Sequence, residues 1–212
     1  MSNTYNSQGM SIVKMFLDKG LKPLGYGCNK ATFVRGNYIF KIAKHQCQIV
    51  DIILEHMLYQ ASNKGVLTVH GNTSCPVYIH LAKCRLFFIN KFPVLIMEKL
   101  IPVDSESTYL LSQDNRNEWM QYIGDGRQVG KDKFGKYKAF DFGGSYNLSE
   151  LSWEAAKDYS EEVLEDMGVD TTQWSDNTFV DECYLGSIGM EKSFGSPSKQ
   201  FVNNNKNILK FV

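Results

Sequence analysis

Apolar positions along the first hundred residues switch between helical and alternating spacing, and the switches predict the elements. From Ser11 to Lys19 the residues Ile12, Val13, Met15, Phe16 and Leu17 mark a short amphipathic helix. Two stretches of strand character follow, LKPLGYG and ATFVRGNYIFKIAK, split at Gly25 and Gly27. A turn at Arg35-Gly36-Asn37 divides the second, which gives three short strands in a meander. From Gln46 to Gln60, Ile49, Ile52, Ile53, Met57 and Leu58 return at helical spacing. Two further strands, VYIHLAKCRLFFI and FPVLIMEKLI, meet at a turn at Asn90-Lys91.

The pattern changes after residue 102. Residues 105–122 are weakly helical, and Lys136–Phe140 forms a short strand ahead of Asp141-Phe142-Gly143. A second long helix begins near Asn147, where Glu150 three residues on closes a capping box. Leu148, Leu151, Ala155, Tyr159, Val163 and Met167 make its apolar face, and Glu154, Asp158, Glu161, Glu165 and Asp166 its acidic one. Beyond Gly186 the chain turns Ser-, Asn- and Lys-rich and closes on Ile208, Leu209, Phe211 and Val212, which reads as a loose tail whose tip docks. Ser193, Ser196 and Ser198 in that tail are candidate phosphate acceptors.

Composition narrows the class. Over 212 residues, 43% of them hydrophobic, Lys+Arg and Asp+Glu balance at 23 each, so no global field draws the chain to nucleic acid or a membrane surface. The start, MSNTYNSQGM, lacks the basic flank and apolar core of a signal peptide. No apolar run approaches the ~20 residues that cross a bilayer. Five irregularly spaced cysteines do not read as a disulfide framework, which points to a reducing cytoplasm.

Four features then occur in a meaningful order. Gly25-Tyr26-Gly27 is a glycine turn between strands, where the backbone can approach phosphate oxygens and present N–H groups to them. Lys41 lies in a strand among apolar neighbours, and an inward ammonium there needs anionic partners; the plain alternative is an edge lysine, with Lys44 as the exposed one. Glu55 is set among Ile52, Leu54, Met57 and Leu58 on the following helix and is placed to pair with Lys41, or else to face solvent. Asp141 follows a short strand and precedes Phe142-Gly143, a good position for a carboxylate ligand to Mg²⁺ beside phosphates.

These residues resemble the motifs of the protein-kinase-like superfamily. Gly25-x-Gly27 is similar to its glycine-rich loop, Lys41 to the third-strand lysine, Glu55 to the glutamate of helix C, and Asp141-Phe142-Gly143 to the DFG motif. Met97-Glu98-Lys99-Leu100 falls where that family has its gatekeeper and adenine-binding hinge. The resemblance covers roughly residues 20–145 and is nearest to small, divergent phage-encoded kinases. It implies an α+β, bilobal kinase-like fold with a five-stranded antiparallel N-lobe sheet plus helix C and a reduced, mostly helical C-lobe. The implied division is an N-terminal arm at 1–10, an N-lobe at 11–101, a C-lobe at 102–190 and a tail at 191–212. Implied as well are ATP and Mg²⁺, with Gly25, Gly27, Lys41, Glu55, Met97, Glu98 and Leu100 around the nucleotide. The expected activity is phosphoryl transfer to protein serine or threonine hydroxyls, the chain's own included, in the cytoplasm, or in a host's cytoplasm if phage-encoded.

The chain departs from the family at the catalytic loop. No H-R-D precedes Asp141; the segment reads Tyr122-Ile123-Gly124-Asp125-Gly126-Arg127-Gln128-Val129-Gly130. Gly124-Asp125 resembles the opening of the aminoglycoside-kinase loop, which implies Asp125 as the residue orienting the acceptor and Gln128 as a second metal ligand beside Asp141. An ungapped alignment puts Ile123 at the aspartate position and leaves no base. The third glycine of the loop has no equivalent either, and Lys30 stands in that neighbourhood as a further phosphate contact. These departures support a second expectation, a pseudokinase or kinase-like interaction protein that acts on a partner without catalysis. A third is a small α+β binding domain in which Lys41 and Glu55 lie apart. His70, Cys75, His80 and Cys84 carry zinc-type ligand atoms but match no finger spacing, and Cys28 is read as a half-buried structural thiol.

Overall fold

The computed structural model describes residues 7–70, 76–123, 128–143, 150–169, 177–192 and 203. Helix α1 (Ser7–Asp18) leads into strands β1 (Lys22–Tyr26), β2 (Lys30–Arg35) and β3 (Tyr38–Ala43), then a 3₁₀ turn (Gln46–Gln48) and helix α2 (Ile49–Ala61). Strands β4 (Val66–His70), β5 (Pro76–His80), β6 (Cys84–Ile89), β7 (Phe92–Glu98) and β8 (Ile101–Pro102) follow. The remainder comprises α3 (Ser105–Leu111), a 3₁₀ helix (Asn115–Tyr122), β9 (Val129–Lys131), β10 (Tyr137–Ala139), α4 (Glu150–Asp166), α5 (Glu182–Ser187) and β11 (Glu191–Lys192). The chain is α+β, with helices on both faces of one mixed sheet.

The main sheet has the order β11-β1-β2-β3-β7-β6. Strands β1, β2, β3, β7 and β6 pair antiparallel in that order; the sixth strand, β11, corrects the five expected from the resemblance and runs parallel to β1. It arrives there because the chain returns near residue 177, where Phe179 and Val180 donate their N–H groups to the Lys44 carbonyl. Gly36, at φ +56°, opens the two-residue turn that fixes the β2–β3 register. Thr32 therefore faces Lys41, and Lys30 faces Ala43. Side chains alternate along a strand, so Lys30, Thr32, Lys41 and Ala43 share one face of the sheet. Phe33 and Phe40 point the other way, where Phe16 of α1 meets their rings edge-on at 5.2 and 5.6 Å.

Helix α2 covers the lysine face and is covered in turn by α4. This double covering explains why Ile52, Ile53, Leu54 and Glu55 are all buried in succession, a run too wide for one apolar stripe. On α4 the described buried residues are Ala156, Ser160, Val163 and Leu164, with Met167 buried just past its end, while the expected core residue Ala155 is exposed. The carboxylates of Glu154, Asp158, Glu161, Glu165 and Asp166 lie on the exposed side.

Other expectations need correction. VYIHLAKCRLFFI is two strands, because the Leu81 and Ala82 N–H groups leave the ladder for the carbonyls of Gly65 and Ala139. Strand β5 pairs with β4 in a separate two-stranded sheet, and β6 joins the main one. Residues 105–122 fold as α3, with Asp104 accepting the Ser107 N–H at 3.0 Å, and as the 3₁₀ helix. Residues 188–192, read as tail, close α5 and form β11. Strands β8, β9 and β10 make a small sheet of their own, whereas α4 and β11 lie against elements of the first hundred residues. No helix among the described residues is long and apolar enough to cross a membrane.

Candidate functional site

The β2–β3 register places two lysines on the face that α2 covers, and α2 answers with two carboxylates one turn apart, Asp51 and Glu55. Lys41 Nζ donates to Glu55 Oε2 at 2.9 Å and Oε1 at 3.2 Å. Lys30 Nζ donates to Glu55 Oε1 and to Asp141 Oδ1, both at 2.5 Å. Asp141 Oδ1 lies 3.5 Å from Lys41 Nζ as well. The structure thus brings together Lys41, Glu55 and Asp141, and adds Lys30 as a second ammonium bridging the two carboxylates.

The segment bearing Asp141 is held from several sides. The Phe140 carbonyl accepts from Lys41 Nζ at 2.5 Å, and its N–H donates to the Gln128 carbonyl at 3.0 Å. Phe142 is wholly buried. Gly143 lies so close to α2 that an added Cβ would stand 2.9 Å from the Asp51 carbonyl carbon, 3.1 Å from Glu55 Cγ, and closer still to the Asp51 carbonyl oxygen. Gly143→Ala is therefore expected to cost ~1–3 kcal/mol by overpacking, read as a lower urea midpoint. An unchanged midpoint would show that the segment does not seat on α2.

The glycine turn is pinned to the same helix. Gln48 Nε2 donates to the Cys28 carbonyl at 3.1 Å and to Asn29 Oδ1 at 3.3 Å, and Asn29 Nδ2 donates to Asp51 Oδ2 at 2.6 Å. Gly25 itself is a strand residue of β1, opposite Thr32, and Gly27 opens the turn by donating its N–H to the Lys30 carbonyl. Cys28 is exposed at that turn rather than half-buried.

Burial and charge act against each other throughout. Burial pushes the Asp141 carboxyl up, but Lys30 and Lys41 outweigh it and hold the group well below the usual carboxylate range. Burial pulls the Lys30 ammonium toward losing its proton, but Asp141, Glu55 and Asp51 outweigh it and hold the group above the ordinary lysine range. Glu55 and Asp51 are shifted up by burial against the pull of the lysines. Asp141 keeps 26% of its side chain exposed, against 9% for Lys30 and none for Glu55, so the network is open to solvent chiefly on the Asp141 side.

The remaining candidates divide. Met97 is buried in β7 opposite Ile39 and Cys84. The Glu98 carboxylate is taken by Lys138 Nζ and the Lys83 N–H, each at 2.7 Å, and the Glu98 N–H goes to the Lys83 carbonyl. Lys99 donates its N–H to Asn37, and Leu100 packs against Gly130. Two of the hinge N–H groups expected to meet adenine are thus used inside the fold. Lys44, expected at the surface, is fully buried between Glu182 and the Tyr26 ring. Asp125 and Cys75 lie outside the described residues.

Neither metal expectation finds a ready ligand set. Among the described residues no three His, Cys, Asp or Glu side chains are gathered to hold an ion. Cys84 donates its thiol to the Glu55 carbonyl at 3.5 Å, and His80 packs edge-on against Trp119. At Asp141 the Oδ1 oxygen carries the Lys30 ammonium, with Lys41 Nζ 3.5 Å away, and two ammonium groups so close to the carboxylate do not fit a divalent ion there. Asn29, Asp51 and the Phe140 carbonyl are site groups the motif reading passed over; of the three only Asp51 had a sequence signal, its i, i+4 spacing from Glu55. Comparison with protein-family models, with curated proteins and with solved structures finds no match to this chain.

Proposed function

We propose that this chain is a divergent, bilobal protein-kinase-like domain that binds ATP beside Lys41 and Asp141 and transfers phosphoryl groups to protein serine or threonine hydroxyls. The observation that carries the reading is the buried Lys41–Glu55 pair at 2.9 Å, joining the sheet to α2 with Asp141 in reach. A lysine fixed in this way presents a positioned charge to phosphate oxygens, and phosphoryl transfer depends mainly on positioning and charge stabilisation. On this reading β1–β3, β6, β7 and α2 form the smaller lobe, and α3, the 3₁₀ helix and β8–β10 supply the reduced second one. Asp125 is the proposed orienting residue for the acceptor.

A specific observation favours a second reading, a pseudokinase that binds nucleotide and acts on a protein partner: Lys30 occupies the Asp141 carboxylate. The first experiment is thermal stability with and without ATP, alongside a Lys41→Ala/Asp141→Ala double variant. Ligand at a hundred times its dissociation constant adds about 2.7 kcal/mol, a readable shift. Stabilisation by ATP that the double variant loses supports the nucleotide site, and labelled-phosphate transfer to a protein hydroxyl then separates kinase from pseudokinase. No shift at millimolar ATP overturns both.

A further inference from the structure

We infer that Lys30 is the resident counter-cation of Asp141, standing where a divalent metal would, and that polyphosphate binding at this site is metal-independent. The inference rests on the nucleotide reading above and deepens it. Its ground is the geometry of one side chain. Lys30 Nζ lies 2.5 Å from Asp141 Oδ1 and 2.5 Å from Glu55 Oε1, and bridges the two carboxylates as an ion would.

The fold prepares this placement. Lys30 begins β2 on the same face as Lys41, because Thr32 is fixed opposite Lys41 by the Gly36 turn. The turn before it is fastened to α2 through Gln48 and through Asn29 on Asp51. The stem of Lys30 is therefore anchored at the strand start, and its head reaches Asp141 while remaining nine-tenths buried. A divalent ion on the same carboxylate would lie beside two buried ammonium groups, and like charges at that separation repel strongly where water is scarce. The charge that neutralises Asp141 is already supplied from within the chain. Two ammonium groups on one face of the sheet, buried directly behind the carboxylate that stays partly open, suit phosphate oxygens without a bridging metal.

Two measurements on the full chain test this, one of which needs no nucleotide. ATP affinity is measured by calorimetry in EDTA and in Mg²⁺. The wild type is expected to bind within about threefold under both conditions. Lys30→Met is expected to weaken metal-free binding by about tenfold or more, with Mg²⁺ restoring it. In parallel, Mn²⁺ alone is titrated and followed by electron paramagnetic resonance. The wild type is expected to show no protein-bound Mn²⁺ at millimolar concentration, and Lys30→Met to gain a site that Asp141→Asn then removes.

ATP binding that EDTA abolishes in the wild type overturns the inference and leaves the nucleotide reading standing. ATP binding in neither condition overturns the nucleotide reading, and the metal-independent binding inferred from it, whatever the Mn²⁺ result. Mn²⁺ bound by the wild type through Asp141 shows that Lys30 does not exclude the metal and overturns its assigned role. Should Lys30→Met fail to fold, the two wild-type measurements still decide.

Discussion

Glu55→Ala is expected to destabilise the protein by about 3–5 kcal/mol, the loss that follows when one member of a buried ion pair is removed. Glu55 has no exposed surface and meets two ammonium groups, Lys30 at 2.5 Å and Lys41 at 2.9 Å. Its removal leaves both lysines without their acceptor on α2, with Asp141 and the Phe140 carbonyl as the remaining hydrogen-bond acceptors and Asp51 acting on Lys30 only by its charge. A methyl group in its place recovers none of that electrostatic loss. Glu55→Gln keeps the shape and one acceptor oxygen but turns an amide donor toward the lysines, so it falls between wild type and alanine. The double variant Glu55→Ala/Lys41→Met is expected to lose less than the sum of its parts, because residues in direct contact couple. Urea unfolding of the wild type, Glu55→Ala, Glu55→Gln, Lys41→Met and the double variant tests this, and a loss under ~1 kcal/mol for Glu55→Ala would place the carboxylate outside the core network.

How much of this network the chain spells out depends on the range of the contact. Gly36-Asn37 is a two-residue hairpin turn, and such a turn fixes Arg35 opposite Tyr38. Counting outward sets Lys30 and Lys41 on the same face, so the pairing of the lysines was legible from spacing alone. Glu55 was legible less directly, as a carboxylate within Ile52-Ile53-Leu54, a run that only a twice-covered helix tolerates. What covers the second side was not legible, because α4 begins some ninety residues after α2 ends and its acidic face gives no hint of the partner. The same distance hides Lys44. Its local pattern reads as a surface lysine, and only the returning chain at Phe179–Glu182 encloses it. Gly25 misleads for the opposite reason: a glycine turn and a glycine in a strand beside a register shift share a spelling, and the ladder decides between them.

The site also shows where a motif reading stops. Lys41, Glu55 and Asp141 satisfy the sequence pattern one by one, but a pattern carries no information on whether an oxygen already has a partner. Lys30 satisfies Asp141, and the Lys83 carbonyl and Asn37 satisfy two of the hinge N–H groups. The network is thus internally neutralised to a degree that three motif residues alone would not suggest. This is why metal dependence needs its own measurement beside nucleotide binding, while phosphate transfer separates kinase from pseudokinase.

Phe142→Ala is expected to cost about 3–5 kcal/mol, the usual penalty for emptying a buried aromatic site. Phe142 has no exposed surface, and its neighbours on both sides are committed: Asp141 to Lys30, and Gly143 to the backbone of α2. The ring therefore anchors a segment whose polar contacts lie at the Asp141 carboxylate and at the N–H and carbonyl of Phe140. Its loss should act on stability and on the site together, since Asp141 keeps its position only while the segment stays seated. Phe142→Leu fills most of the volume and is expected to lose roughly half as much or less, with the Asp141 contacts retained. The discriminating readout is the thermal shift with ATP relative to each variant's own baseline. A leucine variant that keeps the shift, beside an alanine variant that loses it, assigns Phe142 to positioning Asp141. Equal shifts in both would mean that the segment is held by Gly143 and the Phe140 carbonyl alone, and that the buried ring contributes only to the core.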